Sequence, residues 1–148
     1  MHAMLEIVDP LLPEDKPRYL MGVGSPEDIL NAISRGVDIF DCVLPTRLAR
    51  HQAAFTPVGR INLVNAAFFN DSKPIDETCT CYTCRNFSRA YLRHLIMAKE
   101  MLSATLVSIN NISFFLQLTH QSRQAILDGN FTDFAGNFQE KYKVRREQ

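Results

Sequence analysis

Residues 19–44 hold one strand–helix–strand pattern, and nothing after it repeats it. Two strands joined through a helix pair in parallel, with the helix laid across the sheet. Parallel sheets are covered on both faces and built from more strands than two. Residues 19–24, Tyr-Leu-Met-Gly-Val-Gly, read as a short buried strand closed by glycines. Ser25 then serves as N-cap, Pro26 suits the first helical position and Asp28 completes a capping box. Ile29, Leu30 and Ile33 give this helix its apolar face, and Gly36 ends it. Residues 37–44 read as a second buried strand, stopped by Pro45. One such unit cannot close a barrel, so the pattern is that of a piece of a larger α/β structure.

The rest of the chain changes character twice. The opening, to residue 18, is punctuated by Pro10, Pro13 and Pro17 and reads as a connecting segment. Residues 55–71 carry Phe55, Gly59, Ile61, Leu63 and Phe68 in a pattern of short antiparallel strands around turns. Beyond the cysteines, Phe87, Tyr91, Leu92, Leu95, Ile96, Met101, Leu102 and Leu106 follow helical spacing. A further helix is expected from near Asn110 to Leu127, stopped by Gly129, and a last amphipathic stretch carries Phe131, Phe134 and Phe138. The organisation read from this is a connecting segment at 1–18, βα units with a hairpin extension at 19–71, and a mainly helical part at 72–148.

The 148 residues, 46% hydrophobic and 22% charged, suffice for a real core. No stretch reaches the ~18 consecutive apolar residues of a membrane helix, and the first residues lack a secretory pattern. The expectation is a cytoplasmic protein without a membrane partner. Net charge is zero but uneven: residues 1–78 hold 7 Lys and Arg against 11 Asp and Glu, whereas residues 79–148 hold 9 against 5. The basic half ends in Lys141, Lys143, Arg145 and Arg146. Such a half fits a polyanionic partner, and equally a solvated surface.

Three of the four cysteines form Cys79-x-Cys81-x-x-Cys84. Three thiolates on a turn before a helix make a compact chelate for zinc, which takes four ligands in a tetrahedron. Cys84 lies at a helix start, where the dipole favours thiolate. Free thiols or a redox pair are the alternative, but no thioredoxin-like strand pattern precedes them. His94, His120 and water are open as the fourth ligand. A second candidate site is Asp41, near the end of an apolar strand, where a charge must be paired or used. It reads as a nucleophile toward a sugar carbon, as in retaining glycosidases, or as a cap for nearby backbone N–H groups. Arg47, Arg50 and His51 follow it and offer donors to phosphate, or to surface carboxylates.

Four segments in order, residues 19–24, 40–47 (Phe-Asp-Cys-Val-Leu-Pro-Thr-Arg), 79–84 and 88–95 (Ser-Arg-Ala-Tyr-Leu-Arg-His-Leu), together resemble bacterial tRNA-guanine transglycosylases. The resemblance runs without evident gaps from about residue 11 to residue 142. It implies the C-terminal part of an irregular (β/α)8 barrel with a zinc-bearing, mainly helical subdomain. The implied activity is exchange of guanine at the tRNA wobble position for a 7-deazaguanine precursor of queuosine, through a covalent enzyme–ribose intermediate. Asp41 matches the nucleophile, and Met21 and Gly22 match the wall of the base pocket. Gly22, Val23, Gly24, Ser25, Pro26, Glu27 and Asp28 resemble the tRNA-contact loop. Thr46, Arg47, Leu48, Ala49 and Arg50 resemble the segment that reads the wobble site.

Cys79, Cys81 and Cys84 match three zinc ligands, while the family's fourth, a histidine, aligns with Asn110. Gln52 stands where the family usually has glycine, so the loop there is expected to differ. Phe87, Tyr91 and His94 lie on the helix that such enzymes use in homodimer contacts. The family's enzymes are longer, and their general base and most barrel strands lie upstream of the matched part. Activity is therefore expected only with the missing barrel half, supplied by a further chain or segment. A non-catalytic, zinc-containing RNA-binding or dimerising module is the alternative.

Overall fold

The computed structural model describes residues 2–142; Lys143, Arg145 and Arg146 of the basic tail lie outside the described residues. In chain order the elements are α1 (His2–Val8), β1 (Tyr19–Met21), α2 (Pro26–Ile33), β2 (Ile39–Asp41), α3 (Leu44–Arg50), β3 (Ala53–Thr56), β4 (Gly59–Asn62), α4 (Tyr82–Asn86), α5 (Arg89–Met97), α6 (Leu102–Leu127) and α7 (Phe131–Lys141). A short 3-10 turn follows α1 at Asp9–Leu11 and another spans Ala66–Phe68. The proline-punctuated opening thus contains a helix.

The expected strand–helix–strand unit forms. β1 and β2 pair in parallel, with Tyr19 opposite Ile39 and Met21 opposite Asp41. Ser25 caps α2 by accepting from the Asp28 amide at 3.1 Å, and its hydroxyl donates to the Asp28 carboxylate at 2.7 Å. Ile29, Leu30 and Ala32 then bury one face of the helix. The strands themselves depart from expectation. They are three residues each and not buried: Tyr19 is 52% exposed, Met21 70% and Ile39 47%. The reason is physical, since one face of this two-stranded sheet has no layer packed on it among the described residues.

The core lies farther along the chain, around α6. Ala49 of α3, Ala54 of β3, Leu63, Ile75, Cys84, Leu92 and Leu95 of α5, and Leu106 and Val107 of α6 form one buried cluster. The hairpin of β3 and β4 is antiparallel, as its sequence predicts, whereas Phe68, read into the same strand pattern, ends a 3-10 turn capped by Asn65 instead. Phe55 of the hairpin packs against Phe114 and Phe115 of α6, at ring separations of 5.5 and 4.8 Å. Phe114 in turn meets Tyr142, which stacks on Phe138 and seats α7. Helix α6 begins at Leu102, earlier than the expected start near Asn110. The preceding break falls at Lys99, whose φ of 60° ends α5 in the left-handed conformation.

Two polar residues at the centre of α6 are fully buried, Asn110 and Asn111. The Asn111 carboxamide accepts from the Phe55 amide at 2.9 Å and donates to the carbonyls of Pro45 at 2.9 Å and Ala53 at 3.1 Å. One side chain thereby fastens α3 and β3 to α6. Replacing Asn111 by Leu leaves three backbone groups without partners at about 1–3 kcal/mol each. The expected result is a loss of about 3 kcal/mol or more and a melting temperature lower by roughly 10 °C, read by thermal unfolding.

Gln52 follows the last turn of α3 with φ 58°, and its amide donates to the Ala49 carbonyl at 3.0 Å. This is the left-handed position after a helix that glycine favours, so the backbone holds a glycine-type turn despite the side chain. Gln52→Gly relieves about 1 kcal/mol of strain against the greater entropy of an unfolded glycine. The expected net is a small rise in melting temperature of roughly 2 °C; a fall in a thermal melt would contradict the assignment of strain.

Candidate functional site

Asp41 ends β2 on the sheet face that also carries Tyr19, Met21 and Ile39, because side chains alternate along a strand. Its carboxylate accepts from the Gly22 amide at 2.8 Å. Gly22 has φ 73°, and this conformation turns the amide toward Asp41 just past β1. The Tyr19 phenol, on the same sheet face as Asp41, is raised above its usual pKa by partial desolvation and further by that neighbouring carboxylate. Asp41 is therefore oriented by the Gly22 amide, and its side chain remains exposed.

A cleft of about 500 Å³ opens beside it, lined by Gly22, Val23, Gly24, Ser25, Asp28, Asp41, Cys42, Val43, Leu44 and Arg47. The two sequence segments singled out on either side of α2 are thus its two walls. Their closeness depends on Gly24: a Cβ there would lie 2.3 Å from the Cys42 sulfur. That sulfur accepts from the Leu44 amide at 3.3 Å and so also holds the start of α3. Arg47 and Arg50 point outward from α3, whereas Ala49 is buried in the core, as are Gly24 and Pro26. Gly24 is buried in the wall of the cleft, while the exposed Arg47 stands at its rim. Tyr19 and Cys42 were not singled out from sequence. Their proximity in number to Met21 and Asp41 was a signal, but only the register shows what they touch.

The second cluster lies at α4. Cys81 is its N-cap, and the Cys81 sulfur accepts from the Cys84 amide at 3.4 Å. The sulfurs of Cys79, Cys81 and Cys84 all lie within 4.8 Å of one another, so the group can hold a metal ion. Burial, the largest cause, pushes the Cys79 and Cys84 thiols up, and neighbouring sulfurs add to this. Ligation needs thiolates, so an ion bound here displaces protons. The Cys84 thiol donates to Asn110 at 3.2 Å, while His94 and His120 are exposed and stand outside the group.

The loop that carries these cysteines is anchored from α5. Arg89 bonds Asp71 at 3.1 Å and the Ile75 carbonyl at 2.9 Å, and lies over the Phe68 ring. Asp71 is held below the usual carboxylate pKa, chiefly by the Lys73 amide and secondly by Arg89. Below α4, Phe87 stacks on Tyr91 at 5.4 Å and meets Tyr82 edge-on at 5.7 Å; both tyrosines are exposed. Among the described residues no helix is long and apolar enough to cross a membrane.

A family model described as queuine tRNA-ribosyltransferase matches residues 1–144. Among curated relatives, the queuine tRNA-ribosyltransferase of Symbiobacterium thermophilum is 54% identical over 142 residues, covering 96% of this chain and 36% of its own length. That of Helicobacter acinonychis is 54% identical, with 99% and 40% covered. That of Bacillus subtilis is 53% identical, with 96% and 37% covered. The chain spans two-fifths or less of the length of these relatives. With a match over nearly its whole extent, the chain belongs to the queuine tRNA-ribosyltransferase family.

Proposed function

We propose that this chain carries the nucleophile and the metal-binding part of an enzyme that exchanges guanine in the tRNA anticodon for a queuosine-precursor base. The observation that carries the reading is the Asp41 carboxylate. It is exposed at a strand end, bonded by the Gly22 amide at 2.8 Å and set at the edge of a cleft of about 500 Å³. Family membership and the names of the relatives supply the substrate class.

In this mechanism a free oxygen of Asp41 attacks ribose C1′. The C1′–N9 bond breaks, its electron pair leaves with guanine, and a proton from solvent or an acid neutralises the departing base. A covalent Asp41–ribose ester remains. The incoming base then gives up its N9 proton and attacks C1′, and Asp41 leaves as a carboxylate. Two displacements at one carbon retain configuration, as in glycosidases with a carboxylate nucleophile. The Gly22 amide keeps the carboxylate aimed. Met21, paired with Asp41 across the sheet, and Gly22 form the wall met by the base. Arg47 and Arg50 supply charge for the RNA backbone.

Cys79, Cys81 and Cys84 hold a structural zinc, whose contribution is to tie the loop before α4 to the helical layer. The exposed Tyr82 and Tyr91, bridged by the half-buried Phe87 and with His94 beyond them, are the face for a second copy of the chain. The uncovered face and open edges of β1 and β2 receive further strands of a (β/α)8 barrel, in which the remaining base-binding groups and the general base reside. Turnover by this chain therefore requires those strands. The test is exchange of labelled guanine into tRNA by the chain alone and with an N-terminal transglycosylase half added. Exchange is expected only in the mixture. Exchange by the chain alone would refute the dependence on added strands. Its absence with a half shown to bind would favour a non-catalytic RNA-binding or dimerising module.

In the complemented enzyme, Asp41→Asn is expected to lower exchange by roughly 10³-fold or more, the scale on which loss of a covalent nucleophile acts. It should abolish the denaturant-resistant tRNA adduct in gel electrophoresis while tRNA binding persists. An adduct that survives in this variant rules out Asp41 as nucleophile.

A further inference from the structure

The three cysteines supply three donors, and a tetrahedral ion takes a fourth. Asn110 lies against the cluster, in contact with Cys84. It is 1% exposed, and its amide is held by its nitrogen end: Nδ2 donates to the Phe55 carbonyl at 3.1 Å and to Asn111 Oδ1 at 3.4 Å. This orientation turns Oδ1 toward one of the three thiols, 3.2 Å from the Cys84 sulfur. Metal–sulfur bonds of about 2.3 Å and metal–oxygen bonds of about 2.0–2.2 Å set neighbouring donors about 3.5–3.8 Å apart in a tetrahedron. Sulfurs within 4.8 Å of one another, with an oxygen 3.2 Å from one of them, are already on the scale of one coordination sphere. No His, Asp or Glu among the described residues joins the group.

We propose that the Asn110 carbonyl oxygen is the fourth ligand of the metal held by Cys79, Cys81 and Cys84, making an S3O site. This rests on the reading that the cysteines hold zinc. On binding, the protons of the three thiols go to solvent, the three sulfurs bond the ion, and Asn110 Oδ1 exchanges the Cys84 S–H donor for the metal; nothing is oxidised or reduced. A neutral amide oxygen is a weak partner for zinc beside thiolates. The fourth bond is thus the one that an incoming ligand displaces, and the ion exchanges more readily than with an imidazole there. Because the same amide bonds Phe55, the hairpin fixes the orientation of the ligand.

The test loads the purified chain, stripped of metal, with cobalt(II) as a spectroscopic stand-in and compares it with Asn110→His. The wild type is expected to show near-ultraviolet thiolate-to-cobalt absorption and the visible bands of a tetrahedral ion. Asn110→His should shift the visible bands and slow removal of zinc by a competing chelator at least tenfold. Asn110→Asp, which keeps an oxygen donor, should hold the ion without the imidazole shift. Identical visible bands in wild type and Asn110→His would place residue 110 outside the coordination sphere and overturn the assignment. Absence of the thiolate band from the wild type would be a different failure, that of the metal reading itself.

Discussion

The structure depends on two adjacent carboxamides buried in the middle of one helix. Asn110 and Asn111 of α6 project into a layer where apolar side chains would be cheaper, and every polar atom they carry there has a partner. Buried amides that are fully bonded specify geometry, because any displacement strands a donor or an acceptor. Asn111 sets the distance from α6 to α3 and β3, and Asn110 sets that from α6 to α4. The apolar cluster of Leu92, Leu95, Leu106 and Val107 supplies the burial. The amides determine how the pieces it joins are registered.

This arrangement links two sites that are far apart in sequence. Helix α3 carries the exposed arginines and begins beside the cleft that holds Asp41, and its Pro45 carbonyl is bonded to Asn111. One residue earlier on α6, Asn110 faces the cysteine cluster. The cysteine loop is therefore more than a remote appendage. It belongs to the scaffold on which α3 is mounted, and its stability bears on the placement of Arg47 and Arg50.

Much of the fold was legible from short-range chemistry. Ser25, Pro26 and Asp28 announced α2, the turn around Gly59 announced the hairpin, and the spacing of Phe131, Phe134 and Phe138 announced α7. The strands β1 and β2 were placed correctly but read as buried, since hydrophobicity reports what a segment packs against in its full context. Tyr19, Met21 and Ile39 face a layer that these residues do not provide. The start of α6 was missed because apolar spacing continues through Lys99, and no propensity marks a lysine that will take a positive φ. At the candidate site, Asp41 and the cysteines stood out by type and spacing. The bonds of Asn111 to Pro45 and Ala53 span more than fifty residues, and no local pattern encodes them.

The contact between Gly24 and Cys42 has an evolutionary consequence. A side chain at position 24 would occupy the space of the Cys42 sulfur, and loss of that sulfur would deprive the Leu44 amide of its acceptor. Position 24 cannot gain a side chain alone without moving a wall of the cleft. Across sequences that keep this geometry, position 24 should stay glycine wherever residue 42 keeps a side chain that accepts from the residue 44 amide. The constraint acts on residues that take no part in the chemistry, and it would persist even in a lineage where Asp41 had been lost.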